Sequence, residues 1–136
     1  MPDKKRVLFV CIENSCRSQM AEAFTRQYAG DLIEAYSAGS RPSGRVDPQA
    51  VAAMAELGCD LGGQRSKSLG EIPQVKYDYV ITMGCGDECP FIPAEHHEDW
   101  AIPDPKALLP EEFRKVRDLI GRRVNELEAR IRREAS

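Results

Sequence analysis

Apolar residues fall into two rhythms along the chain. Val7-Leu8-Phe9-Val10, Ile33 to Gly39 and Tyr77 to Met83 are short runs rich in β-branched and aromatic residues, the pattern of strands covered on both faces. From Arg17 to about Ala29, Met20, Ala21, Phe24 and Tyr28 instead recur at helical spacing, with Gly30 as a stop. Asp47-Pro48 is a helix-start signal, with Val51, Met54 and Ala55 as the expected buried stripe up to Gly58. From Glu111 onward Phe113, Val116, Leu119, Ile120, Val124, Leu127 and Ile131 make a long amphipathic helix with a charged outer face. Ser66 to Leu69 reads as a short helical turn, Ile92 to Asp99 as loop, and Trp100-Ala101-Ile102 as a brief fourth strand.

The strand, helix, strand succession at the start is a βαβ unit with a right-handed crossover. It predicts an α/β fold: one three-layer domain over residues 1–136, with a four-stranded parallel sheet flanked by helices. In such sheets ligands collect beyond the carboxyl ends of the strands, near a topological switch point. Cys11 falls there.

The residues after that first strand change the reading of the cysteine. A thiol ending a buried strand is by itself a small hydrophobe. Here Arg17 and Ser18 follow after five residues, on a strand-to-helix turn. Backbone N–H groups from Ile12 through Glu13, Asn14, Ser15 and Cys16 would line a concave loop, and the helix start adds unpaired donors and the positive end of its dipole. A tetrahedral oxyanion fits such a cradle, and Arg17 offers a planar fork to grip it. Such surroundings lower a thiol from about 8.5 to roughly 3.5–7.5, so Cys11 is expected to be a thiolate nucleophile inside its own anion site, with Ser18 donating to the sulfur. Cys16 is expected to be structural and core-facing, and Cys59 a half-buried structural thiol.

Two later features bear on chemistry. Cys85 and Cys89, four apart, lie at the carboxyl end of the third predicted strand, the edge that also carries Cys11. A zinc site using them with His96-His97 lacks the usual spacing in its second half, so no metal is expected. Pro103-Asp104-Pro105 braces a carboxylate that suits a rigidly held general acid, although Asp-Pro is also a common turn pair.

The composition narrows the setting. The 136 residues are 42% hydrophobic and carry a net charge of -3, which gives no basic footprint for nucleic acid, and no apolar run is long enough for a membrane. Met1 to Arg6 is a polar lead-in without a signal core, and five cysteines in an unexported chain point to reduced thiols in the cytoplasm.

Cys11-x5-Arg17-Ser18, answered by the late Asp104-Pro105, resembles the low-molecular-weight protein tyrosine phosphatase fold. Asn14 to Glu22, Tyr36-Ser37-Ala38-Gly39 and Cys85…Cys89-Pro90 are similar to the arsenate reductases built on it. The resemblance implies that Cys11 attacks arsenate, with phosphate or sulfate as competing oxyanions, and that Asp104 protonates the departing oxygen. Cys85 then attacks the Cys11 sulfur to release arsenite, and Cys89 presents the disulfide to thioredoxin or a low-molecular-weight thiol such as mycothiol or glutathione. It implies a monomer with no cofactor. The order of Cys85 and Cys89 stays open, because Gly84 stands where the first of the pair usually follows the strand. Glu13 replaces a usual glycine and is expected to face solvent. Lys67 falls where some members place an acidic potassium ligand with Asn14, Glu22 and Ser37, so little potassium dependence is expected. The alternative is a phosphatase acting on phosphotyrosine, for which only Trp100 offers an aromatic wall and Cys85 and Cys89 have no task.

Overall fold

The computed structural model describes residues 4–84, 91–106 and 108–135, and so leaves Cys85 and Cys89 outside the described residues. Strand β1 (Lys5–Cys11) leads into helix α1 (Arg17–Ala29), and β2 (Ile33–Gly39) into α2 (Pro48–Ala55). A 3₁₀ turn (Leu69–Glu71) precedes β3 (Tyr77–Thr82) and β4 (Ala94–Asp99), and α3 (Pro110–Ala135) ends the chain. The sheet order is β2-β1-β3-β4 and all three pairings are parallel. The chain leaves β1 first toward one side and later toward the other, so the carboxyl end of β1 is the switch point where connections diverge. This is the expected α/β architecture.

Alternation along β1 sends Val7, Phe9 and Cys11 to one face and Leu8 and Val10 to the other. The first set joins Tyr79 and Ile81 in a core with Met20 and Phe24 of α1, Met54 of α2 and Phe113, Ile120 and Val124 of α3. Leu8, Val10 and Val80 pack beneath Ile72 and Leu69 on the opposite face, which makes the third layer. Each fully buried large side chain contributes about 1.5–3 kcal/mol, so the sheet end that carries Cys11 rests on a rigid base.

Several boundaries differ from expectation. The fourth strand is Ala94–Asp99, and Trp100 to Ile102 lie beyond it. Ala-Glu-His-His-Glu-Asp carries no apolar signal because β4 is a sheet edge and most of it stays exposed. Ala101, at φ 49°, ends the extended backbone, while Trp100 and Ile102 are buried as plugs, Trp100 tilted against Phe9 at 5.6 Å. In α2 the buried positions are Ala50, Ala53 and Met54, so the stripe is rotated from the expected one and Val51 is exposed. The helix ends at Ala55 and reaches Gly58 through a turn. Tyr28 is exposed and stacks on the outside of Phe24. The expected turn at Ser66 to Leu69 is displaced to Leu69–Glu71, where Ser68 and Glu71 form a capping box.

Candidate active site

The loop from Cys11 to Cys16 owes its shape to what its carbonyls do. The carbonyl of Cys11 accepts from the Ser40 amide (3.3 Å), that of Ile12 from Arg41 (2.8 Å), that of Glu13 from Ser43 (3.0 Å) and that of Ser15 from Asp47 (3.0 Å). The Glu13 carbonyl also takes the Ser66 hydroxyl (2.9 Å), and the Asn14 carbonyl takes the Gln19 side-chain amide (3.0 Å). Five successive carbonyls thus point outward into the segment after β2 and its neighbours. Because peptides are planar and trans, the N–H groups of Ile12, Glu13, Asn14, Ser15 and Cys16 turn the other way, into the concavity. Asn14 permits the reversal at φ 51°, a left-handed conformation that asparagine tolerates. Gly39 makes room for it: a Cβ there would meet the Ile12 oxygen at 2.5 Å.

Cys11, Ile12, Glu13, Ser15, Cys16, Arg17, Arg41 and Asp104 line one cavity of about 200 Å³. Cys11 is 3% exposed and its sulfur lies 2.8 Å from the Ser18 hydroxyl. The direction of that bond follows from its neighbours. The backbone N–H of Lys67 donates to Asn14 Oδ1 (3.0 Å), which sets the amide so that Nδ2 donates to Ser18 Oγ (2.7 Å). Ser18 is then left with one hydrogen, and that hydrogen is aimed at the sulfur. The relay begins further back: Gln64 donates to Gln19 Oε1 (2.7 Å), and Gln19 donates to Asn14 Oδ1 (2.8 Å).

Arg17 is buried, and its Nη1 donates to the carbonyls of Met83 (2.7 Å) and Ile102 (3.0 Å). Its grip on an anion must therefore use Nε and Nη2, the parallel donor pair along one edge of the guanidinium. Asp104 stands at the cavity wall, where its Oδ1 accepts the Lys106 amide (3.0 Å). Cys16, the cap residue of α1, donates its thiol to Asp47 Oδ2 (3.1 Å), while Oδ1 of the same carboxylate caps α2 through the Gln49 amide. Burial, and then the Asp47 carboxylate, push the Cys16 thiol well above its usual range. It is a protonated structural thiol. Cys59 is fully buried rather than half-buried, and burial raises its thiol as well.

Some expectations are corrected at the rim. Glu13 does not simply face solvent: Lys106 Nζ meets both its oxygens, at 2.9 and 3.0 Å. Trp100 is buried against Phe9 and lines no part of the cavity, so it offers no aromatic wall. His96 stacks on Tyr79 and His97 on Phe91, so adjacent strand residues face opposite ways and do not converge on one centre. Lys67 Nζ sits 3.7 Å from Glu22 Oε1, 3.4 Å from Ser37 Oγ and 3.2 Å from the Arg65 carbonyl; burial draws its ammonium below the usual lysine range while Glu22 opposes the shift. Gln64 and Lys106 leave no mark in local spacing, since their partners lie 45 and 93 residues away.

The chain matches the family described as Low molecular weight phosphotyrosine protein phosphatase over residues 6–136. It belongs to that family. Within the phosphatase family it is similar to the glutaredoxin arsenate reductase of Synechocystis, at 42% identity over 93% of this chain and 98% of the relative. A solved arsenate reductase in a phosphate-binding state superposes with a TM-score of 0.84 at 41% identity, covering 93% of this chain and 98% of that one. A thioredoxin-dependent arsenate reductase of Corynebacterium glutamicum superposes at 0.79 with 33% identity, covering 96% of this chain and 63% of that one. No helix among the described residues is long and apolar enough to cross a membrane.

Proposed function

We propose that this protein is an arsenate reductase whose nucleophile is Cys11. The observation that carries the reading is the outward turn of the five carbonyls from Cys11 to Ser15, which turns five amides toward the cavity that the reactive sulfur lines. Arsenate enters with its oxygens on those amides and on Nε and Nη2 of Arg17. The Cys11 sulfur, donated to by Ser18, attacks arsenic, and Asp104 delivers a proton to the oxygen opposite, which leaves as water. The product is a thiol-arsenate adduct.

A second thiolate then attacks the Cys11 sulfur. As the disulfide forms, the sulfur–arsenic bond breaks with its electron pair on arsenic, which passes from the pentavalent to the trivalent state and departs as arsenite. We assign the attack to Cys85 and the final exposed disulfide to Cys89, with a thioredoxin-like protein or a low-molecular-weight thiol supplying two electrons; this assignment rests on their place in the sequence. The same reading makes the enzyme a cytoplasmic monomer in a reducing milieu. Against phosphotyrosine as substrate stands the composition of the cavity wall, which includes no aromatic side chain among the described residues.

The purified protein is expected to oxidise a reduced thioredoxin system only when arsenate is present, with glutaredoxin–glutathione and mycothiol systems run in parallel. Absence of arsenite in all three would defeat the reductase reading. Cys85→Ser and Cys89→Ser should each stop multiple turnover with arsenate, whereas a phosphatase would keep cleaving an aryl phosphate in both variants. If both variants keep turning over arsenate, the cascade is wrong.

A further inference from the structure

An ion pair at the cavity mouth, between Glu13 and Lys106, joins residues 93 apart. Glu13 lies in the floor loop, its backbone held by Ser43 and Ser66, so only its side chain reaches outward. Lys106 follows buried Pro105, and its amide is bonded to the Asp104 carboxylate. Both ends of the pair therefore rise from anchored backbone, one beside the nucleophile's loop and one beside the acid.

In-line displacement places the leaving oxygen opposite the attacking sulfur, next to the group that protonates it. If Asp104 is that group, any substituent on the leaving oxygen must emerge past Lys106 and Glu13. A water leaving from arsenate needs no such passage. An aryl ring does, and it would have to strip hydration from a carboxylate and an ammonium without replacing it, with no aromatic side chain among the described residues of the cavity wall to stack on. We propose that the Glu13–Lys106 pair is a specificity determinant that closes this exit and restricts the cavity to unesterified tetrahedral oxyanions. This inference rests on the reading of Cys11 and Asp104 given above.

The test measures protection of Cys11 from iodoacetamide, read at the Cys11 peptide by mass spectrometry, with arsenate and phenyl phosphate as protectants. In the unaltered protein arsenate protects at far lower concentration than phenyl phosphate. Glu13→Gly removes a negative charge and Lys106→Ala a positive one, so their effects on anion affinity alone are opposite in sign and leave the ratio of the two protectants unchanged. The strap instead requires the ratio to move the same way in both, toward phenyl phosphate by about tenfold or more. The exchanged pair, Glu13→Lys with Lys106→Glu, should return it toward the original value, which a purely structural fault would not do.

A ratio constant within about twofold in both single variants, or no recovery on exchange, overturns the proposal. Arsenate that fails to protect the unaltered protein overturns the anion site and the strap together. A shifted ratio without arsenate-dependent oxidation of any reductant leaves the strap standing and removes only the reductase reading.

Discussion

In the floor of the cavity, Asn14 and Ser18 are fully buried and Cys11, Cys16 and Arg17 nearly so, with every carbonyl from Cys11 to Ser15 bonded outward. At the rim, by contrast, Asp104 is exposed and the Glu13 and Lys106 side chains are 38% and 56% exposed. Groups withdrawn from water hold their geometry because each alternative leaves a buried polar atom unpaired, at about 1–3 kcal/mol apiece. An exposed ion pair contributes about 0–1 kcal/mol and exchanges with solvent. The floor is therefore built for a reaction common to all tetrahedral oxyanions, while the rim can decide among them without disturbing the fold.

The difference can be broken first at its strongest point. Cys11→Ser should reduce arsenate turnover to background while the anion still binds, measured by arsenite release and by calorimetric titration with phosphate; retained turnover would remove the nucleophile from the floor. Arg17→Lys should cost roughly 10²–10³-fold in kcat, because one ammonium replaces a forked donor that also secures Met83 and Ile102. Asn14→Gly keeps the left-handed backbone but deletes the amide that orients Ser18, and a loss of about tenfold in turnover separates the relay from the turn.

A milder expectation concerns the cation behind the floor. Lys67 already places an ammonium among Glu22, Ser37 and the Arg65 carbonyl, so replacing sodium by potassium should alter activity by less than about twofold. A clear rise with potassium would show that the lysine does not serve in its place.

The smallest effect belongs to a cluster remote from the active-site cavity, where exposed Arg114 and then buried Arg117 hold the exposed Glu56 carboxyl at about 2, tying α2 to α3. A lowered folded value means that this contribution is complete above about 4.5 and is lost as pH falls toward 2, since the unfolded chain takes up the proton first. Glu56→Gln should flatten the fall in melting temperature across that window. An unchanged slope would show that the Glu56 pairs add nothing to the stability of the fold.

How much of this was legible in the sequence varies with the range of the interaction. Buried strands and amphipathic helices announce themselves through periodicity, so β1, β2, β3 and α3 were readable from Val7 to Ile131. The edge strand β4 was not, since half-exposed strand residues carry the same polar letters as a loop, while Trp100 and Ile102, apolar for a different reason, drew the assignment to themselves. At the site, Cys11, Arg17 and Ser18 are neighbours along one turn and could be read together. Lys106, Gln64 and Arg41 reach the cavity only through the closure of distant loops, and no local pattern announces that.

Arg17 touches both the interior and the root of the segment that follows β3. The two hydrogens of one nitrogen hold the carbonyls of Met83, two residues before Cys85, and of Ile102, while the opposite edge of the same flat group remains for cargo. A guanidinium is flat and rigid, so fixing one edge fixes the direction of the other. One rigid group thus borders both the anion's place and the backbone that leads on toward Cys85.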